Sequence, residues 1–568
     1  MSWIIKNYIK ETRENETGAQ VYPPGLRHPV AFIYPNVYHL GMSNLGMHIL
    51  YQMINERGDS ACERFFLPDK RLQKEHIKSK TPLLSLENQR PLADFDVIFV
   101  MLSFEMDYDN LLTVLDLGTI RLRAAERNQR EPLVIIGGPC ATFNPEPMAA
   151  VADAFVIGEG EETVQHVLDT IYREESKQER LAALAQVPGV YVPSLYTAQY
   201  DDEGEFTALL PQEGAPAKVA RQWARDIDAY PHTSAIVTSG TEFEDMFIVE
   251  VARGCGRHCR FCMAGYCFRK PRNRSLSVIN EEVQEALKYR KRIGLMGAAI
   301  SDYPEIDALC KDILGEGLSM SVASFRADSV TKELVDSLAE SGLKTLTMAP
   351  EAGSDRMRAV INKGIEEHHL FHSMDLGLSA GIRNFRLYIM VGLPFEEEED
   401  IDAIIDLAER LKDYMEARGS KGTLTLSVNP FIPKPFTPFQ WEPMADRKTV
   451  EKRLKRLEKT LRRRKHVVVN IESPKEAYIQ GVLSRGDRRV GEALMRAHEL
   501  GGSKAFKRAL RLDPAFYLYR KRPESEVFPW ERLDMGFKKS YLYEELKRAE
   551  ALKPTIPCFE GCHRCGVC

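Results

Sequence analysis

The sequence has no run of about 18 apolar residues, so nothing in it reads as a membrane-spanning helix. Its opening, MSWIIKNYIKETREN, lacks the long apolar core and small-residue cleavage site of a secretory signal. Charge of neither sign dominates: 77 Lys and Arg stand against 82 Asp and Glu, for a net charge of −5. That balance excludes a global basic field drawing in nucleic acid or an anionic membrane. Cysteine is sparse over most of the chain, with 11 in 568 residues, but seven of these fall in two tight clusters. Tight clustering reads as metal ligation in a reducing compartment rather than as a disulfide framework. The expectation is a soluble, cytoplasmic protein of two or three domains, because the chain is too long for one ordinary core.

The order of apolar runs predicts an α/β fold. Runs at Val30–Tyr34, Val97–Leu102, Leu133–Ile136 and Ala154–Ile157 alternate with helical stretches, as in a doubly wound parallel sheet. Six further candidates follow: Phe247–Val251, Ile293–Ile300, Leu318–Ser324, Thr345–Met348, Phe385–Val391 and Leu424–Val428. Six βα-type units are too few for a closed eight-fold barrel and suggest a partial (β/α)6 TIM-like barrel. The expected organisation is an α/β domain over residues 1–185, a Pro-rich linker over 186–235, the partial barrel over 236–445 and a mainly helical region over 446–568. Within the last, RKTVEKRLKRLEKTLRRRK reads as a basic helix, either a solvated surface helix or a contact for RNA or another polyanion.

The first cysteine cluster, EVARGCGRHCRFCMAGY, places Cys255, Cys259 and Cys262 in a CX3CX2C spacing just past a predicted strand. Three thiolates can hold three irons of a [4Fe–4S] cluster and leave the fourth open to a substrate or cosubstrate. A zinc knuckle or reduced structural cysteines is the bland alternative. The triad, with Phe261 before its third cysteine and βα units following, resembles the radical S-adenosylmethionine (SAM) superfamily. That resemblance implies that the open iron chelates SAM and that its reductive cleavage gives a 5′-deoxyadenosyl radical. It also carries roles for rim segments after successive strands. Ser301 and Asp302 in GAAISDYPEI stand where the methionine amino group is received, and Arg326 in SFRAD is a carboxylate partner. Glu351 and Ser354 in MAPEAGSDRMRAVINKG are ribose and carboxylate candidates, and Gly392 and Pro394 in MVGLP lie near the adenine.

The N-terminal domain resembles the cobalamin (B12)-binding domain that precedes many such enzymes, on IIGGPCATFNPEP (Gly137, Gly138) and DAFVIGEGEET (Gly158, Glu159, Gly160). Glycines at strand ends would let a flat corrin approach the backbone. The cobalt-ligating Asp-x-His-x-x-Gly pattern is replaced by NVYHLG, with Asn36, Tyr38 and Gly41 in the frame and His39 one place out. This leaves open a cobalamin without a histidine ligand or a domain kept as structure. The second cluster, CFEGCHRCGVC, offers Cys558, Cys562, Cys565 and Cys568, which suit a second Fe–S cluster or zinc; the spacing does not distinguish them.

Three functional readings follow. The leading one is a cobalamin-dependent radical SAM methyltransferase acting on an unactivated carbon. The second is a cobalamin-independent radical enzyme catalysing rearrangement, cyclisation or thiolation with the C-terminal cluster. The third is a non-catalytic Fe–S or RNA-binding protein. The resemblance implies an electron donor such as flavodoxin or ferredoxin, and leaves the substrate open among small molecule, RNA and peptide.

Overall fold

A computed structural model describes residues 2–243, 246–323, 325–502, 505–510 and 513–567. The chain forms two compact units. The first comprises Met1–Asp245, Leu483–Pro514 and Val527–Gly536; the second comprises Met246–Val482, Ala515–Glu526 and Phe537–Cys568. The expected helical region at 446–568 is thus divided between the two units. The expected linker at 186–235 lies wholly within the first.

The first unit is built on six strands: β1 (His28–Tyr34), β2 (Ser60–Phe66), β3 (Val97–Met101), β4 (Leu133–Gly137), β5 (Ala154–Val156) and β6 (Val190–Tyr191). Their order is β2-β1-β3-β4-β5-β6, with all pairs parallel except β5–β6. This is a doubly wound sheet whose strand order reverses between β1 and β3, the place where such folds open a ligand crevice at the strands' C-terminal ends. Val30, Phe32, Val97, Phe99, Leu133 and Ile135 pack in one core, which explains the nearly uninterrupted apolar runs. Strand β2 escaped the sequence pattern because Glu63 and Arg64 sit in its middle. Both are buried, and Arg64 is satisfied by Glu16 at 2.7 Å and Glu87 at 2.6 Å.

Late segments complete this unit. The helix α1 (Tyr108–Leu117) meets α2 (Arg488–Glu499), where His498 lies between Asp109 at 3.2 Å and Asp116 at 2.7 Å. Asn144 Nδ2 donates to the carbonyls of Ser484 and Gly486, and Arg488 pairs with Glu146 at 2.7 Å. Residues Val219–Ala220 pair in parallel with Leu533–Asp534.

The second unit contains β7 (Met246–Glu250), β8 (Arg292–Met296), β9 (Ser319–Val322), β10 (Thr345–Glu351), β11 (Asn384–Val391), β12 (Leu424–Pro430) and β13 (Val467–Ile471). They lie side by side in chain order, all parallel, as β7-β8-β9 and β10-β11-β12-β13, with a Phe325–Met348 bridge joining the two runs. This singly wound order is the one a partial barrel requires. It has one strand more than the six expected: β13, VVVNI, whose alternating burial is hidden behind the basic helix in the sequence. Ser324, at the end of the third expected strand, lies outside the described residues.

The basic helix spans Arg447–Leu461 and buries Val450, Leu454, Leu457 and Leu461. Arg453 pairs with Glu396 and Glu398, and Arg456 with Glu398 and Asp402, so acids of this same unit neutralise part of its charge. Among the described residues, no helix is long and apolar enough to cross a membrane.

Candidate functional site

Strand β7 hands over to a loop closed at its neck by a short antiparallel ladder, Ala252–Arg253 against Arg272–Asn273. Gly254 starts the loop at φ +81°, and a Cβ there would lie 2.1 Å from the Phe268 carbonyl oxygen, so the chains can cross only at glycine. The loop then presents Cys255, Cys259 and Cys262 at the C-terminal end of the sheet. Burial pushes the Cys262 thiol up to about 11, and the neighbouring Cys259 and Cys255 add to the effect. Burial likewise raises Cys255, with Cys259 contributing. Cys255 and Cys259 are thus electrostatic neighbours of Cys262, while among the described residues no group of three Cys, His, Asp or Glu stands as a ready metal site.

A polar network surrounds them. Arg257 donates to both carboxylate oxygens of Asp302, at 2.9 and 2.7 Å, and to Asp328 at 3.0 Å. Burial would raise Asp302, but the Arg257 hydrogen bonds prevail and hold it below the usual carboxylate range. Arg326 also binds Asp328, at 3.0 and 3.1 Å, donates to the Lys363 carbonyl at 2.6 Å and sets its Nη1 3.8 Å from Cys259 Sγ. Ser301 Oγ is 2.9 Å from Ser329 Oγ and accepts from the Arg326 backbone N–H. Lys363 pairs with Glu351 at 3.1 Å and lies 5.6 Å above the Phe261 ring. The fold therefore brings Phe261, Ser301, Asp302, Arg326 and Glu351 around the thiol loop through shared partners.

Other expected residues have structural duties. Ser354 caps the helix Asp355–Val360, accepting from Met357 N–H and donating to Asp400 at 2.6 Å. Gly392, followed by Pro394 in the turn, donates its N–H to Glu396 at 2.7 Å; burial lifts that carboxyl to about 7. Sequence reasoning missed Arg257, Asp328 and Lys363. Arg257 stands inside the cysteine motif and Asp328 two places after Arg326, so proximity to motif residues was the available signal. Lys363 follows the fourth rim segment with no motif of its own.

Residues 249–408 match the family described as the radical SAM superfamily, and residues 46–193 match "Radical SAM proteins, N-terminal". An uncharacterized protein of Methanocaldococcus jannaschii is 30% identical over 82% of this chain and 90% of its own length. The chain belongs to the radical SAM superfamily. The cytidylyl-2-hydroxyethylphosphonate methyltransferase of Streptomyces wedmorensis is 24% identical over 56% of this chain, which spans 65% of that protein. Among solved structures, the radical SAM methyltransferase TsrM of Kitasatospora setae, with cobalamin and a [4Fe–4S] cluster bound, aligns at 14% identity and a TM-score of 0.48, covering 71% of this chain and 75% of that one.

In the first unit of this radical SAM protein, the crevice side of the sheet carries Asn36, which donates to Asp107 at 2.7 Å. Asn110 donates to the same carboxylate at 3.0 Å, and burial raises Asp107 to about 6. Tyr38 donates to Glu16 at 2.6 Å, and His39 pairs with Glu242 at 3.2 Å. Gly137 ends β4 with the Val156 side chain 3.8 Å from where a Cβ would stand, and Gly138 turns at φ +96°, where a Cβ would lie 2.9 Å from the Leu102 carbonyl oxygen. Gly158 is likewise required by the fold. Its missing Cβ is required by the Gln222 carbonyl, which would be 2.1 Å away. Glu159 N–H donates to that same carbonyl and its carboxylate accepts from Ala224 N–H; Gly160 packs on Leu50. Gly158 and Glu159 thus fasten the 220–224 segment to the sheet.

The C-terminal cysteines return to the thiol loop of the second unit. Cys558 N–H donates to Gly256 O at 2.8 Å, and Cys558 Sγ lies 3.7 Å from His258 Nε2. The His258 Nδ1 is 2.7 Å from Tyr541 Oη, and burial followed by Arg269 lowers its pKa to about 3. Cys562 and Cys565 are buried; Arg564 Nε donates to Cys562 Sγ at 3.5 Å and Arg269 bonds Cys565. Cys568 lies outside the described residues.

Proposed function

We propose that the protein is a cobalamin-dependent radical SAM methyltransferase acting on an unactivated carbon. The observation that carries the radical SAM part is the match of residues 249–408 to the radical SAM superfamily, with Cys255, Cys259 and Cys262 on one loop and Arg326 Nη1 3.8 Å from Cys259 Sγ. Three thiols suit a [4Fe–4S] cluster with one iron left for SAM. A cluster held there would supply the one electron that splits the C5′–S bond of SAM into methionine and a 5′-deoxyadenosyl radical.

The residues of the chain do the rest. Arg326, oriented by Asp328, holds a cation 3.8 Å from Cys259 Sγ and would receive the SAM carboxylate. Ser301 and Asp302 offer acceptors for the amino group, and Phe261 with Glu351 and Lys363 walls the site. Gly392 and Pro394 shape the adenine end, and Ser354 fixes the helix that follows Glu351.

Cobalamin would be held at the reversal point of the N-terminal sheet, with the turn at Gly137 and Gly138 facing it, and would supply the methyl group. The likeness to a methyltransferase over 56% of the chain supports this reading. One observation favours the cobalamin-independent alternative: Gly158, Glu159 and Gly160 are used within the fold.

Anaerobic reconstitution followed by mass spectrometry tests the reading. SAM must be converted to 5′-deoxyadenosine by the wild type and not by Cys255→Ala. Corrinoid absorbance in the purified protein separates the methyltransferase from its alternative, and a protein that cleaves SAM but retains no added cobalamin would rule the former out.

A further inference from the structure

Three adjacent strands of the second unit share one alternation. In β10, β11 and β12, Leu346, Phe385, Leu387 and Leu426 are fully buried, and the residues between them are not. The buried set faces the helices: where a Cβ would stand on Gly377 of the helix Glu367–Ser379, the Phe385 ring is 3.1 Å away. The alternate set therefore faces the concave side of the sheet. A closed barrel packs such residues as a core, but Thr347, Arg386, Tyr388, Thr425 and Ser427 are all only half-buried. The concave side thus borders open space.

Register sets Arg386 between Thr347 and Thr425, and Tyr388 beside Ser427. Among the described residues nothing bonds any of these five side chains, and the Arg386 Nε is fully buried. Arg257, Arg260 and Arg326 in the same unit each reach a carboxylate; Arg386 reaches none. A guanidinium held this way lacks its counter-charge and keeps the planar fork that fits a carboxylate or phosphate. The β7–β8 part of the concave side is apolar. Phe247 turns outward to stack on Tyr289, leaving Met246 and Ile248 inside, where they fill the room that Gly294 vacates.

From this arrangement we propose that Arg386, with the Thr347, Thr425 and Tyr388 hydroxyls, binds the carboxylate or phosphate of a small substrate whose apolar body lies against Met246 and Ile248. The substrate role rests on the function proposed above; the anion site does not. Arg386 precedes Val391, the last residue of β11, by five positions, about 17 Å along the strand. That depth suits a molecule of metabolite size, not an RNA helix or a folded protein. Its far end would reach the rim where the thiol loop stands.

Calorimetric titration of the full chain with phenyl phosphate and, separately, with benzoate tests the proposal. The wild type is expected to bind at least one of them, and the tighter binder identifies the anionic group. Arg386→Met should weaken that binding at least about tenfold, and Arg386→Lys, which keeps the charge without the fork, should lose less. Arg462→Gln, at an exposed position after the basic helix, should leave it unchanged. Binding of neither anion, equal affinity in Arg386→Met, or a loss in Arg462→Gln instead overturns the proposal. Since Arg386 bonds nothing in the fold, Arg386→Met should melt no lower than the wild type. A melting temperature lowered by about 4 °C or more would make the guanidinium part of the fold and overturn the proposal as well. The titrations need no metal and no SAM, so the two readings fail separately. If SAM is converted to 5′-deoxyadenosine while Arg386→Met binds the anion as well as the wild type, only the anion site falls. If binding depends on Arg386 in a chain that never cleaves SAM, the proposed function falls and the anion site stands.

Discussion

Replacing Arg260 by methionine removes the cation that ties the thiol loop to the C-terminal segment. The side chain is fully buried and its guanidinium donates to Ala359 O at 3.0 Å, Val360 O at 2.9 Å and Lys553 O at 2.6 Å, besides pairing with Glu545. Methionine fills much of the volume but donates nothing. Three carbonyls, of which Ala359 O keeps the Asn362 N–H, then lose the guanidinium, at about 1 kcal/mol each. Glu545 keeps Thr555 Oγ1 at 2.8 Å and Arg548 at 3.6 Å, so its lost partner adds only about 1 kcal/mol more. The sum, about 4 kcal/mol, falls within the range for breaking a buried ion pair. For a unit of this size that lowers the melting temperature by about 8 °C. Calorimetry of the metal-free protein reads the shift, and limited proteolysis should find the segment after Glu550 newly cleavable. Arg260→Lys, which keeps the charge but not the fork, should lose less. A shift below about 2 °C with an unchanged proteolytic pattern would refute the reasoning.

Gly158→Ala should destabilise the cobalamin-free protein by about 3 kcal/mol, because φ is +106° and the new Cβ would meet the Gln222 carbonyl; unchanged melting would return this glycine to a cofactor role. Hydrogen bonds to Asp109 and Asp116 raise His498 to about 9, above its unfolded value near 6.5. The resulting stabilisation, about 1 kcal/mol after solvent screening, is fully present below about pH 6.5 and lost as pH rises through about 9. His498→Gln should therefore lower the melting temperature at pH 6 but not at pH 10, and an equal loss at both would be the failing result. Lys363→Met leaves the partly buried Glu351 without its cation and should cost about 2 kcal/mol, with Lys363→Arg recovering part in the same thermal melts.

The sequence announced what local chemistry repeats. Buried parallel strands such as VAFIY and VIFVM stand out because both faces need apolar side chains, and the CX3CX2C loop stands out because three sulfurs must reach one centre. It concealed what depends on distant partners. Strand β2 looked polar because Glu63 and Arg64 find their counter-charges, Arg90 and Glu87, elsewhere in the chain. The residues around Gly158 looked like a cofactor floor because the partner that demands the glycine, Gln222, is 64 positions away. Arg257, Asp328 and Lys363 were invisible for the same reason: a charged residue declares its role only when its partner is known. The docking of Cys558 beside His258 joins positions 300 apart, and no spacing rule reaches that far.

The first unit is discontinuous in sequence, and this constrains how the protein is made. Asn144 and Glu146 find their partners in residues that the ribosome delivers only after almost all of the second unit. About 290 residues separate Asp245 from Gly536, an interval of roughly 15–60 s at usual translation speeds. During that time the first 245 residues wait with one side of their core unfinished, while the thiol loop's own unit is being synthesised. Cutting the gene at the apparent domain boundary would strand them there permanently.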